Sequence, residues 1–205
     1  MLLYKIFHIS DIHIRNGDDN SCRFKEYSAV FDRLFDSIKL NIDKLKLNHE
    51  EYIIVVSGDI FHNKNVIGNY GLSLYKKFIE GLTNLGRTII FHGNHDKNQN
   101  EIDQPTLLSS TFNIPNLTIL KESTSFIINE IGFSYVSIDD TLDVYKTCGR
   151  IETLPDFPKI QNPVRHKVAL FHGTFGNVKL NNTAEVKDYM NPYPFDGLKI
   201  LILPS

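Results

Sequence analysis

Three short runs of β-branched and aromatic residues, each broken off at a polar turn and separated from the next by a helical stripe, constrain this chain more than any other feature. Tyr4–Ile9 stops at Ser10-Asp11, Tyr52–Val56 stops at Ser57-Gly58-Asp59, and Arg87–Phe91 runs into Gly93-Asn94-His95-Asp96. Short, mainly apolar runs of this kind predict buried strands. Between the first two, Lys25–Leu47 places Val30, Phe31, Leu34, Phe35, Ile38, Ile42 and Leu45 at spacings of three and four, the stripe of an amphipathic helix. Between the second and third, Gly71–Leu85 carries Leu74, Phe78, Leu82 and Leu85, followed by Gly86 at a position suited to a C-cap. Strand–helix–strand–helix–strand is the order of a parallel α/β unit.

The later part of the chain changes character. Leu117–Leu120, Ser125–Ile128 and Phe133–Ile138 predict short strands of a second sheet, antiparallel or mixed. Leu154–Pro163 is proline-rich and reads as a loop or cap, and Lys167–Phe171 reads as a buried strand followed at once by His172-Gly173. Thr183–Tyr189 predicts a short helix and Lys199–Leu203 a last strand. No repeat, low-complexity tract or linker divides the chain, so a single domain over residues 1–205 is expected. With 41% hydrophobic and 22% charged residues it can bury a sizeable core, which excludes disorder and coiled coil. No apolar run approaches the ~18–20 residues of a transmembrane helix, and Met1-Leu2-Leu3-Tyr4-Lys5 lacks the parts of a signal peptide, so no membrane partner is expected. Two cysteines, Cys22 and Cys148, make no disulfide framework and predict an intracellular, cytoplasmic or nuclear protein. A net charge of −2 gives no global field for nucleic acid, which leaves only a local basic groove open.

The polar residues recur at one kind of place, the carboxyl end of a strand. Asp11 and His13 follow the first, Asp59 and His62 the second, Asn94, His95 and Asp96 the third, and His172 a later one. In an open α/β sheet these ends converge on one crevice, where ligands bind. Asp, His and Asn offer oxygen and nitrogen donors suited to Mn²⁺, Fe or Zn²⁺, and no cysteine takes part, which excludes a Cys-type structural zinc site. Asp59 could bridge two metals about 3.5–4 Å apart. Gly58 and Gly93 stand where a tight turn or a close backbone approach favours glycine. His8 and His92, within or at the end of strands, read as packed residues, and His49 and His166 as surface residues in polar loops.

Ser10-Asp11-Ile12-His13, Gly58-Asp59-Ile60-Phe61-His62-Asn63, Gly93-Asn94-His95-Asp96 and Phe171-His172-Gly173, in that order, resemble the motifs of the calcineurin-like metallophosphoesterase superfamily. The resemblance implies a four-layer αββα sandwich with a site for two divalent metals, manganese foremost. It implies that Asp11, His13 and Asp59 hold one metal, and that Asp59, Asn94 and His172 hold the other. His95 would stabilise or protonate the leaving oxygen, with Asp96 orienting its ring. The metals of that family activate water and neutralise the charge developing at phosphorus. Gly58-Asp59-Ile60-Phe61-His62-Asn63 is most similar to the Mre11/SbcD nuclease branch, where the histidine matching His62 lies near the scissile phosphate. That branch implies a nucleic-acid substrate, specifically a DNA phosphodiester, and an ATPase partner or a homodimer. A phosphoprotein or a nucleotide is the alternative substrate.

The superfamily has a fifth motif, Gly-His-x-His, after one more strand. Tyr193–Leu203 is similar to the approach to it, but Pro204-Ser205 stands where it would begin, and no histidine follows His172. The expectation is therefore of a C-terminally incomplete domain. The second class of function that follows is an inactive or weakly metal-binding remnant acting through a partner.

Overall fold

The computed structural model describes residues 5–15, 21–63, 67–93, 95–96, 114–138, 166–172, 179–180, 184–185 and 199–201. The chain divides into two compact units, Met1–Ile119 and Leu120–Ser205.

The first unit contains β1 (Lys5–Ile9), α1 (Ser21–Leu45), β2 (Tyr52–Ser57), α2 (Asn69–Leu85), β3 (Thr88–Phe91) and the start of β4 (Leu117–Leu120). They form one sheet in the order β1-β2-β3-β4. β1 pairs β2 in parallel with Phe7 opposite Ile54, and β2 pairs β3 in parallel with Val55 opposite Ile89. Every residue of β2 and β3 is buried, as expected for strands covered on both faces.

α1 lays Phe31 and Ile38 into the core, with Phe24, Tyr27, Leu34, Phe35 and Ile42 packed against it. Val30 is exposed because it stands about 100° around the helix from Phe31, and Leu45 is exposed at the helix end. α2 buries Leu74, Tyr75, Phe78, Ile79 and Leu82, and the Phe31 and Phe78 rings meet at 5.0 Å between the helices. Lys77 adds a polar clasp, its Nζ 2.7 Å from Asp32 and donating to Ser28 Oγ at 2.6 Å.

One expectation changes in this unit. Leu117–Leu120 joins the first sheet beside β3 and not the second. Three groups of contacts hold it there: Thr88 N–H donates to Asn116 O at 2.8 Å, the Asn116 amide donates to Thr83 O at 3.2 Å, and Leu117 and Ile119 pack on the first core. Gly86 caps α2 as expected, in extended backbone at φ 169, and its N–H donates to Leu82 O. Its small size is what the fold uses, because a Cβ there would stand 2.6 Å from Tyr52 Cε2. The Tyr52 ring lies across the helix end and its hydroxyl donates to the Leu85 carbonyl, an orphan acceptor of the last turn.

The second unit contains β5 (Thr124–Ile128), β6 (Ile131–Tyr135), β7 (His166–Leu170), β8 (Lys179–Leu180), β9 (Ala184–Glu185) and β10 (Lys199–Leu201). Its main sheet runs β10-β7-β6-β5. β5 and β6 are antiparallel, while β6–β7 and β7–β10 are parallel, so the sheet is mixed. Asn129 and Glu130, with φ 46 and 64, form the two-residue turn between β5 and β6, which matches the strand twist. Ala184 and Glu185, expected in a helix, pair antiparallel with Lys179 and Leu180. A seven-residue segment makes under two turns, too few to repay helix nucleation against a ladder of cross-strand bonds. Leu154–Pro163 lies outside the described residues.

The architecture is mixed α/β with a parallel sheet and helices, consistent with the fold the motif resemblance implies. Neither long helix is apolar enough to cross a membrane.

Candidate metal centre

The segments leaving β1 and β2 are laced together. His13 N–H donates to Asp59 O at 2.9 Å, Ile14 N–H to Ile60 O at 2.7 Å, and His62 N–H to Ile14 O at 3.0 Å. Ile14 and Phe61 form a parallel bridge, and Ile14, Ile60 and Phe61 are buried as apolar anchors. Between these anchors the backbone takes an unusual course. Asp11, His13 and Asp59 have φ of 49, 47 and 52, the left-handed region, and Gly58 precedes Asp59 at φ 76. Left-handed non-glycine residues carry strain that gathers at functional sites, and Asp and His tolerate it better than most. Here that strain turns the side chains of all three residues to one point.

Donor atoms of Asp11, His13 and Asp59 lie within 4.8 Å of one another. His13 Nε2 is 3.7 Å from Asp11 Oδ1 and 3.7 Å from Asp59 Oδ2. That is too long for a hydrogen bond. It matches the ~3–4 Å separating two ligands that each lie ~2.1 Å from a common ion. Two carboxylates and an imidazole face one point, and Asp59 among them is buried, 1% exposed. The donor set thus fits a divalent cation. The Tyr27 hydroxyl of α1 holds the backbone beneath it, donating to His13 O at 2.7 Å. Tyr27 lay unnoticed in the sequence because it sits on the apolar stripe of α1 and only its polar tip reaches the site.

The segment after β3 closes the arrangement. Asp59 Oδ1 accepts the His95 N–H at 2.9 Å, which leaves Oδ2 to face His13. Asp96 is buried, and its carboxylate gathers backbone: Oδ1 accepts Ile60 N–H at 2.9 Å and Phe61 N–H at 3.1 Å, and Oδ2 accepts Gly93 N–H at 2.9 Å. Asp96 was expected to orient the His95 ring. The partner of His95 Nδ1 is instead the His62 carbonyl, 2.9 Å away. A carbonyl only accepts, so Nδ1 donates that bond and Nε2 is the ring nitrogen left for other chemistry.

His62 stands against both other histidines. Its ring is 5.6 Å from His13 and 5.9 Å from His95, and the His13 and His95 rings are 4.9 Å apart. Desolvation, then the Arg15 guanidinium and the neighbouring His13 and His95, push the His62 imidazolium below its ordinary pKa. His8, in β1, bonds Ser57 Oγ through Nε2 at 2.8 Å, and burial lowers its pKa while Asp11 raises it in part. It is a packed residue of the strand pair, and His92 is buried just after β3. His172 follows β7 in the second unit and is buried. Asn94 lies outside the described residues.

Gly93 has a steric reason. A Cβ there would overlap Asp59 Oδ1 and lie 2.5 Å from Asp59 N. Gly93→Ala is expected to cost about 2 kcal/mol of stability, in the range of core overpacking, and to weaken binding of a divalent cation by displacing Asp59. Thermal unfolding and a Mn²⁺ titration check both effects.

A sequence model of the calcineurin-like phosphoesterase family matches residues 4–198. The chain is also 33% identical, over 178 residues, to uncharacterized protein R555 of Acanthamoeba polyphaga mimivirus; the match covers 85% of this chain. The chain spans 12% of the length of that relative. The strand-end motifs and a family match over nearly the whole sequence agree, and the chain belongs to the calcineurin-like phosphoesterase family.

Proposed function

We propose that this chain hydrolyses a phosphodiester of nucleic acid, DNA foremost, with a pair of Mn²⁺ ions. Family membership supports metal-dependent phosphoester hydrolysis. The observation that carries the proposal is the convergence of Asp11, His13 and Asp59 beside His95 and His62. Asp11, His13 and Asp59 would hold one ion, and Asp59, Asn94 and His172 the other. The ions would supply Lewis-acid charge and an activated water at neutral pH. His95, with Nδ1 bound to the His62 carbonyl, presents Nε2 as the atom that holds or delivers a proton to the leaving oxygen. Asp96 acts on the site through the backbone it gathers. His62, beside His95 and followed by Asn63, favours the Mre11/SbcD branch and hence a nuclease. By the same analogy an ATPase or a second copy of the chain would be the partner, and the two cysteines suit an intracellular setting.

The test compares substrates in Mn²⁺. DNA and bis(p-nitrophenyl) phosphate should be cleaved faster than p-nitrophenyl phosphate, a phosphopeptide or a nucleotide. Preference for a monoester would overturn the nucleic-acid reading and leave phosphoester hydrolysis standing. No hydrolysis of any of them with metal bound would overturn both. His95→Ala should leave Mn²⁺ binding nearly intact and lower turnover by roughly 10²–10⁴-fold. Loss of Mn²⁺ in parallel with activity would make His95 a ligand instead.

A further inference from the structure

His13, His62 and His95 form a second group of donors, distinct from the carboxylate set and sharing only His13 with it. One ring nitrogen from each lies within 4.8 Å of the other two, and all three residues are half-buried. Three neutral imidazoles and an open fourth position are a ligand set for a borderline cation such as Zn²⁺ or Co²⁺, whereas the carboxylates of Asp11 and Asp59 suit Mn²⁺ or Mg²⁺. We infer that His13, His62 and His95 form a separate site for a zinc-type cation, and that this site and the Asp11/Asp59 site compete for His13.

The geometry supports each part. The His95 Nδ1 proton is committed to the His62 carbonyl, so Nε2 is free as a ligand. That same bond ties the backbone of one ligand to the ring of another, the kind of outer contact that orients metal-binding imidazoles. His13 Nε2 faces the carboxylates, and its Nδ1 is buried with no hydrogen-bond partner among the described residues. A neutral imidazole has one unprotonated nitrogen. His13 can therefore serve the carboxylate site or the imidazole site, but not both in that form. Three nitrogens ~2.0–2.1 Å from one ion lie ~3.4 Å apart. The three donor nitrogens, within 4.8 Å of one another, draw together to reach that spacing.

The consequence is a metal-selective antagonism. A zinc-type cation held by the imidazoles withdraws His13 from the carboxylates and weakens Mn²⁺ there, and Mn²⁺ weakens the zinc-type cation by the same factor. This goes beyond the phosphoesterase reading and does not depend on turnover.

Binding measurements on the whole chain test it. Co²⁺ is followed by its visible absorption and Mn²⁺ by electron paramagnetic resonance, in wild type, His62→Gln and Asp11→Asn. His62→Gln should weaken Co²⁺ by at least about tenfold, since even indirect partners of ligands are worth ~10–100-fold, and should leave Mn²⁺ within about threefold. Asp11→Asn should do the reverse. In wild type, added Zn²⁺ should raise the apparent Kd for Mn²⁺. The inference is overturned if His62→Gln leaves Co²⁺ unchanged, if both variants weaken both cations alike, or if Zn²⁺ and Mn²⁺ bind without mutual effect. Matching thermal unfolding curves confirm that the variants fold, and His62→Asn serves if the glutamine variant does not.

Discussion

Replacing Asp96 by alanine is expected to cost about 3–5 kcal/mol of stability. The buried carboxylate accepts three backbone N–H groups, from Ile60, Phe61 and Gly93. Each donor left without a partner costs about 1–3 kcal/mol, and water reaching the enlarged space recovers part of the total. These bonds also clasp the segment after β2 to the segment after β3, so the loss spreads to Asp59, which receives the His95 N–H across the same gap. Asp96→Asn keeps one oxygen acceptor and replaces the other with a donor facing a donor, so it should destabilise by a smaller amount. Chemical unfolding of the three proteins measures the order wild type, Asn, Ala. A loss below about 1 kcal/mol for Asp96→Ala would show that the clasp is not a structural element of the site.

Asp59→Asn separates the metal from the fold. The asparagine oxygen can still accept the His95 N–H that Asp59 Oδ1 accepts at 2.9 Å, so the loop keeps its shape. What disappears is the negative charge at Oδ2, 3.7 Å from His13 Nε2. Without metal, the variant should unfold at the wild-type temperature or slightly above it, because Asp11 no longer shares the space with a second carboxylate. With metal the two proteins should part. If the ion is Mn²⁺ as proposed, at 100 times its Kd it would stabilise wild type by about 2.7 kcal/mol, and the variant should show almost none of this at the same concentration. Hydrolysis should fall by about 10³-fold, the several kcal/mol that a bound cation contributes to the transition state. Differential scanning calorimetry with and without Mn²⁺, beside a phosphodiester assay, reads all three. A variant that retains the full metal-induced shift would remove Asp59 from the ligand set.

Much of the fold was legible because neighbours in sequence encode it. The apolar runs ending at Ile9 and Val56 and before His92 became β1, β2 and β3, and the stripes on both sides of β2 became α1 and α2. Side-chain period depends only on local geometry, so it can be read without knowing what packs where. The same reading put Asp11, His13, Asp59 and His95 just after strands, which is where the structure has them. It failed for Leu117–Leu120, because a short apolar run carries no mark of the sheet it will join. It failed for Ala184–Glu185, where pairing with Lys179–Leu180 outweighed a weak local preference for helix.

The sequence by itself determined the order of strands and helices and the kinds of donor atom at the strand ends. The tertiary structure alone decided what those atoms face. That His95 is held by the His62 carbonyl, that Asp96 binds backbone, that Tyr27 supports His13 and that three imidazoles meet all depend on contacts between residues far apart along the chain. Such contacts form only when sheet register brings strand ends together, here through the Ile14–Phe61 bridge and the parallel pairing of β1, β2 and β3. The left-handed backbone at Asp11, His13 and Asp59 belongs with them. The local tolerance of Asp and His for that conformation does not select it, and it persists because the buried bonds around it are worth more than the strain it costs.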